Sequence, residues 1–210
     1  VIRETFPVGL LQCNCTVLGD ELSHEAIVID PGDDLAQILA VLRAHQLQLR
    51  RILVTHAHID HIAGAQALKG ATGAPIFYNQ QDLPLVAMMA TQASWFGLEV
   101  PVVSPPDHSP VDGERFGVNG IDGELLHVPG HTPGSLVLYV PAQKLLIAGD
   151  TLFAGGIGRG DFPFGNGAQL VESIRDVLLP LPGETLVVPG HGPETTIADE
   201  QATNPFLQRD

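Results

Sequence analysis

Ile52-Leu53-Val54-Thr55-His56-Ala57-His58-Ile59-Asp60-His61 is the stretch on which the fold turns. Its first four residues read as a buried strand, and the Ala-rich residues that follow, to about Gly70, read as a helix. The histidines and the aspartate therefore crowd onto one strand-to-helix loop. That loop lies at the strand's carboxyl end, where α/β proteins commonly place ligand sites. Three imidazoles and a carboxylate within six residues offer more donors than one tetrahedral ion needs, so two metals are implied. Neutral imidazole and carboxylate suit zinc, and the same set accepts iron or manganese.

On the N-terminal side, Ala26-Ile27-Val28-Ile29-Asp30 is a β-branched run stopped by Pro31-Gly32. Leu35, Ile38, Leu39 and Leu42 then fall on one face of a helix. On the C-terminal side, strand signals recur at 75–78, 124–128, 136–140, 144–148 and 186–188, with an amphipathic helix carrying Leu170, Ile174, Val177 and Leu178. Residues 80–110 mix helical and Pro-rich character and resist a reading. Met88, Met89, Trp95 and Phe96 lie there; core packing is expected of them, and any that line a pocket would favour an acyl group. The second half repeats the layout of the first with no Gly/Ser-rich hinge between them. The expectation is one α/β domain over residues 1–210, two sheets face to face with helices outside, although the pattern alone also fits other layered arrangements.

Three further segments end apolar strands beside glycine: Pro129-Gly130-His131, Ala148-Gly149-Asp150-Thr151 and Val188-Pro189-Gly190-His191. A lone histidine at a strand end is commonly a hydrogen-bonded structural residue. Three such segments together with the six-residue cluster point instead to a shared metal centre. His24, His45, His108 and His127 stand outside these motifs and read as structural or exposed; His127, in the strand before His131, is the one placed to support a ligand from behind.

Composition narrows the partners. With 24 acidic against 10 basic side chains the formal charge is −14, which repels nucleic acid and anionic membrane surfaces. No run approaches the ~18 apolar residues of a membrane-spanning helix. The start, Val1-Ile2-Arg3-Glu4, lacks the pattern of a signal peptide, so a cytoplasmic location is expected. Cys13 and Cys15, the only cysteines, read as reduced thiols near a strand and not as a zinc site, for lack of a second pair.

Taken in order, His56-Ala57-His58-Ile59-Asp60-His61, Gly130-His131-Thr132-Pro133-Gly134-Ser135, Gly149-Asp150-Thr151-Leu152-Phe153 and Pro189-Gly190-His191-Gly192 resemble the motifs of the metallo-β-lactamase superfamily, across nearly the whole chain. The resemblance implies an αββα four-layer sandwich. It implies that His56, His58 and His131 bind one divalent metal, that Asp60, His61 and His191 bind a second, and that Asp150 bridges them beside a shared hydroxide. Asp60 and Asp150 are then the catalytic carboxylates. Asp30 would orient the metal loop from behind without binding metal; as a simple cap before Pro31-Gly32 it needs no such role.

Within the superfamily, Gly149-Asp150-Thr151-Leu152-Phe153-Ala154-Gly155-Gly156-Ile157-Gly158-Arg159 resembles the compact bacterial glyoxalase II type, which hydrolyses hydroxyacyl thioesters of glutathione such as S-lactoylglutathione. The separate C-terminal helical domain that contacts glutathione in the long form is not expected here. Arg159 stands where that family has a basic substrate-contacting residue, and a surface salt bridge is its plain alternative. The Gly158-Arg159-Gly160-Asp161-Phe162 run also resembles the persulfide dioxygenases, which would hold a single iron on His56, His131 and Asp150. A lactonase-type hydrolase is a third reading of the same ligands.

Overall fold

The computed structural model describes residues 1–208. A first sheet is built from β1 (Ile2–Val8), β2 (Cys13–Gly19), β3 (Glu25–Ile29), β4 (Gln48–Leu53) and β5 (Ile76–Phe77), in that spatial order. The first three strands pair antiparallel, whereas β3, β4 and β5 run parallel. Two helical connections make the parallel pairings possible: α1 (Leu35–Ala44) between β3 and β4, and α2 (Ile59–Ile62) with α3 (Ala65–Thr72) between β4 and β5.

Residues 83–96 form α4 (Leu83–Ala87) and α5 (Met89–Phe96), and the chain then extends to a bridge between Phe77 and His108. The second sheet follows with β6 (Glu114–Val118), β7 (Ile121–His127), β8 (Leu136–Val140) and β9 (Leu145–Gly149). A small ribbon of β10 (Leu152–Phe153) and β11 (Gly156–Ile157) and the helix α6 (Gly167–Ser173), which runs into a π-helical turn at Ile174–Leu178, precede β12 (Leu186–Pro189) and β13 (Thr195–Thr196). The helix α7 (Ile197–Thr203) comes last, and the spatial order of the sheet is β13-β12-β9-β8-β7-β6.

Period-2 alternation explains the layering. From the first sheet Leu18, Ile27, Ile29 and Leu53 point inward to meet Leu125, Leu138, Val140, Leu145, Ile147 and Val188 of the second. Their neighbours Val17, Ala26, Val28 and Ile52 point outward, onto Ile38 and Leu42 of α1, Ala65 and Leu68 of α3, and Met89 and Ala93 of α5. On the far side Val137, Leu146, Ala148 and Val187 pack under Leu170, Ile174, Leu178 and Ile197. Each sheet is buried on both faces, so the order helix, sheet, sheet, helix is the αββα sandwich. Each Val, Leu, Ile and Met among them contributes about 1.5–3 kcal/mol by leaving water, and truncating Ile27, wholly buried between the sheets, removes one of these contributions and opens a cavity.

The strands at 26–29, 52–53, 76–77, 136–140, 145–149 and 186–189 lie where the sequence puts them, and the expected helix after residue 62 is broken around Gly64. β1, β2 and β6 were not expected. The Asp30-Pro31-Gly32 turn does more than stop β3. A β-carbon at Gly32 would sit 1.6 Å from the Asp60 carbonyl oxygen, and one at Gly64 would sit 2.4 Å from that of Pro31. Two glycines thus let this turn press directly beneath the metal loop. Among the described residues no helix is long and apolar enough to cross a membrane.

Candidate metal centre

All seven donor side chains come from strand ends at one rim of the sandwich. His56 and His58 follow β4, Asp60 and His61 ride on α2, His131 stands in the β7–β8 turn, and Asp150 and His191 follow β9 and β12. The structure brings them together. Donor atoms of His56, His58 and His131 lie within 4.8 Å of one another, as do those of Asp60, His61 and His191. Asp150 stands between the two sets: its Oδ1 is 3.4 Å from His61 Nε2, and its Oδ2 is 3.7 Å from His131 Nε2 and 3.8 Å from His191 Nε2.

Hydrogen bonds behind the rings decide which nitrogens carry lone pairs. Thr55 Oγ1 gives its single proton to Asp30 Oδ2 at 2.8 Å, so at the 3.1 Å contact with His56 Nδ1 the ring must donate. His131 Nδ1 donates to the Arg159 carbonyl oxygen at 2.7 Å. The Nε2 atoms of His56 and His131 therefore face each other at 3.2 Å with no proton between them. Two opposed lone pairs repel unless a cation lies near both. Likewise His61 Nδ1 donates to Asp30 Oδ2 at 2.9 Å, while its Nε2 and Asp150 Oδ1 are buried without a hydrogen-bond partner among the described residues. An unsatisfied buried polar atom costs about 1–3 kcal/mol, and the donor set fits metal ions as the missing partners.

The charge states divide along the same line. Burial, and then the neighbouring imidazoles, push His56 far down, and His58 is lowered to about 3. Burial lowers His131 too, against the opposing pull of Asp150. These three rings are neutral near pH 7, as ligands must be. In the other set burial works against every charge, yet the carboxylates of Asp60, Asp30 and Asp150 hold His61 well above its ordinary value and His191 rises against Asp60, so an ion taken up there would displace a proton from each ring. Burial likewise opposes ionisation of Asp60 and Asp150, and the His61 imidazole chiefly outweighs it, keeping both below the usual carboxylate range.

Asp30 lies behind the cluster, 1% exposed, in a left-handed conformation at φ 53° that Asp tolerates better than most residues. Its Oδ1 also accepts from the Thr55 amide at 2.7 Å. Cys13 and Cys15 are free and buried on β2, and Cys13 Sγ lies 3.4 Å from His61 Nδ1. Burial pushes the Cys13 thiol up to about 12, so it sits there as a neutral S–H.

Arg159 is a different case. Its guanidinium is exposed, bound through Nε and Nη2 to Asp161 at 2.8 Å each, and lies 4.3 Å from the Phe162 ring centre. What Arg159 gives the donor cluster is its carbonyl oxygen, behind His131. Of the remaining histidines, His45 pairs with Glu4 and His108 with Glu114, while His127 Nε2 donates to the Pro133 carbonyl at 2.8 Å and so steadies the turn that carries His131. His45 caps the end of α1 and is not part of that helix.

Two supporting residues escaped the sequence reading. Asp82, buried before α4, accepts from the Ala57 amide at 2.9 Å, Thr132 Oγ1 at 2.9 Å and the Gly134 amide at 2.6 Å. It thereby clamps the His56–His58 loop to the His131 turn. Gln92 of α5 accepts from the Ile59 amide at 2.9 Å and donates to the Leu85 carbonyl at 2.9 Å. Both lie in the stretch that showed no periodicity, and their partners are mostly backbone atoms, which leave no mark in a sequence.

Above the donors opens a cleft of about 240 Å³, walled by Leu11, Ile59, Gln92, Trp95, Phe96 and Phe162. Trp95 and Phe96 thus line a pocket, whereas Met89 is 5% exposed in the core. A larger groove of about 450 Å³ runs beside it along Val8–Leu11 and Leu98–Pro101, and Asp60 is the only one of the seven donors on its wall. The smaller cleft is the one over the donors.

The profile of the metallo-beta-lactamase superfamily matches residues 8–191. A Haemophilus influenzae protein named hydroxyacylglutathione hydrolase GloC is 39% identical over 206 residues, covering 97% of each chain. The crystal structure of the BLEG-1 B3 metallo-beta-lactamase superposes with a TM-score of 0.92 at 33% identity, covering 99% of this chain and 100% of that one. The crystal structure of TTHA1623 in a di-iron-bound form gives 0.87 at 37% identity, with the same coverage. With its four layers, its donor cluster at the strand ends and a match over most of its length, the chain belongs to the metallo-beta-lactamase superfamily.

Proposed function

We propose that this chain is a metal-dependent thioesterase that hydrolyses a 2-hydroxyacyl thioester, S-lactoylglutathione or a close analogue, to the hydroxy acid and the free thiol. Residues 1–210 act as one catalytic domain, and its partner is this small molecule, not nucleic acid. The reading is supported by the Haemophilus influenzae relative and by one observation above all: the Asp150 carboxylate lies between two complete donor sets, one oxygen toward His61 and the other toward His131 and His191.

His56, His58 and His131 would hold one divalent ion and Asp60, His61 and His191 the other, with Asp150 shared; zinc, iron and manganese all suit these donors. Ions so held lower the pKa of water toward ~7 and polarise the thioester carbonyl. The protein's own groups do the rest. Asp60 Oδ2, 3.0 Å from His191 Nε2 and 3.6 Å from His61 Nε2, is kept ionised and can take a proton from the attacking water. As water adds to the carbonyl carbon and the C–S bond breaks, the sulfur leaves as a thiolate. A thiol pKa near ~8.5 makes that departure possible without a strong acid, and the site provides none beside the cleft other than its histidines. Asp30 and Asp82 hold the two ligand-bearing loops in register throughout.

The test is thiol release from S-lactoylglutathione by metal-replete protein, with metal counted per chain. We expect turnover with two ions bound, and its loss in Asp150→Ala. Oxygen consumption with glutathione persulfide, one iron per chain and no thioester cleavage would assign the site to the dioxygenase reading instead.

A further inference from the structure

The cleft over the donors is lopsided. One side is the donor cluster itself; the other is an aromatic wall. The Phe162 ring centre lies 5.4 Å from that of His58 and 6.4 Å from that of His131. Trp95, in α5, stacks on Phe162 at 6.4 Å with an interplanar angle of 20°. Aromatic surface therefore runs without a break from the solvent to two imidazoles of one donor set. Trp95 is 44% exposed and its neighbour Phe96 38%, so this apolar surface faces open space.

Among the described residues no unpaired charge interrupts the wall. The Arg159 guanidinium that borders it is paired with Asp161. Gln92 spends its carbonyl oxygen on the Ile59 amide and its amino group on the Leu85 carbonyl. A ligand entering here meets rings and Leu11, not hydrogen-bonding groups, apart from the donor cluster. The cleft's 240 Å³ equals the liquid share of about eight water molecules. A lactoyl group, whose substituent is a single methyl, leaves most of the wall wet.

We propose that the acyl substituent of the substrate packs on Trp95 and Phe162, and that these two specificity-determining residues favour hydroxyacyl groups bearing an aromatic or large apolar substituent over the lactoyl group. The proposal rests on the hydrolase reading and deepens it. Aromatic packing on an exposed ring contributes through both area burial and ring geometry. The preference lies in the acyl half of the thioester and leaves the thiol half unread by this wall.

Two measurements test it on zinc-loaded protein. In the first, kcat/KM is compared for S-mandeloylglutathione and S-lactoylglutathione, which share a carrier and differ only in the acyl group. The wild type is expected to favour the mandeloyl thioester, Trp95→Ala to lower the ratio by about three- to tenfold, and Trp95→Phe to keep most of it. The second uses the fact that Trp95 is the only tryptophan in the chain. Mandelate should change its emission at lower concentration than lactate does. If no thioester is cleaved and mandelate still titrates Trp95 ahead of lactate, the hydrolase reading fails and the aromatic seat stands. An acyl ratio unchanged in Trp95→Ala, an effect that follows the thiol instead of the acyl group, or emission indifferent to mandelate overturns the proposal.

Discussion

Replacing Gly190 by alanine should disable the metal centre while leaving the sandwich folded. A β-carbon built there falls 2.1 Å from Asp150 Oδ1, 2.7 Å from His61 Cε1 and 3.1 Å from the Gly149 carbonyl carbon. Ordinary contact begins near 3.4 Å, so the Asp150 oxygen must retreat by roughly 1.3 Å, and a misplacement of ~1 Å at a reacting centre costs about 10²-fold in rate. The carboxylate has nowhere to retreat without giving up its place, because His61, His131 and His191 surround it. Overpacking of this kind destabilises by about 1–3 kcal/mol, a fall in Tm of about 2–12 °C for a chain of this size. We expect an unchanged far-UV circular dichroism spectrum, fewer than two ions retained per chain after dialysis, and kcat/KM lowered at least ~100-fold. Gly192→Ala is the control: φ there is +77°, so alanine is strained, but its β-carbon meets nothing within 4 Å. A Gly190→Ala protein with two ions and wild-type kcat/KM would refute the reasoning, as would a Gly192→Ala protein equally impaired.

Two other perturbations probe what lies behind the donors. Asp82→Ala strips the acceptor from three buried donors, at Ala57, Thr132 and Gly134, and should lower Tm by about 5–10 °C together with metal affinity, with partial recovery in Asp82→Asn; unaltered Tm and metal affinity would show that the clamp is idle. The cysteines give a pH dependence: burial raises Cys13 from 9.0 to about 12 and shifts Cys15 in the same direction, so both stay protonated in the folded chain where unfolded thiols ionise. Their contribution to stability is complete below pH 9 and is lost as pH climbs through the folded-state values, toward about 12 for Cys13, at about 1.4 kcal/mol per pH unit for each thiol that only the unfolded chain ionises. Urea unfolding at pH 8 and pH 10 reads this directly. The slope should flatten in Cys15→Ala, and thiol reagents should label neither residue until the chain unfolds.

Why some of this was legible in the sequence and some was not has physical causes. The donor segments were readable because each follows an apolar strand, and three of the four hold a glycine that turns the chain, as with Gly190-His191; such punctuation is local. The doubly buried strands were readable for the same reason: Ile27–Ile29 and Leu145–Ala148 are apolar on both faces. β1 was hidden because it is an edge strand, where Arg3, Glu4 and Pro7 are all tolerated. Asp82 was hidden because its work is done on distant backbone amides. Arg159 carried two readings, a substrate contact and a surface salt bridge: in the structure a carboxylate two positions along holds its side chain, and its main chain touches the cluster.

The donors are also divided between the halves of the molecule. His56, His58, Asp60 and His61 belong to the first sheet's side, and His131, Asp150 and His191 to the second's. An ion gripped from both sides would work as a rivet through the seam, and part of the energy of capture would go into keeping two slabs of protein pressed together. Neither slab alone brings the seven donors together, and the donor cluster is thereby made a witness to the correct assembly of the whole fold.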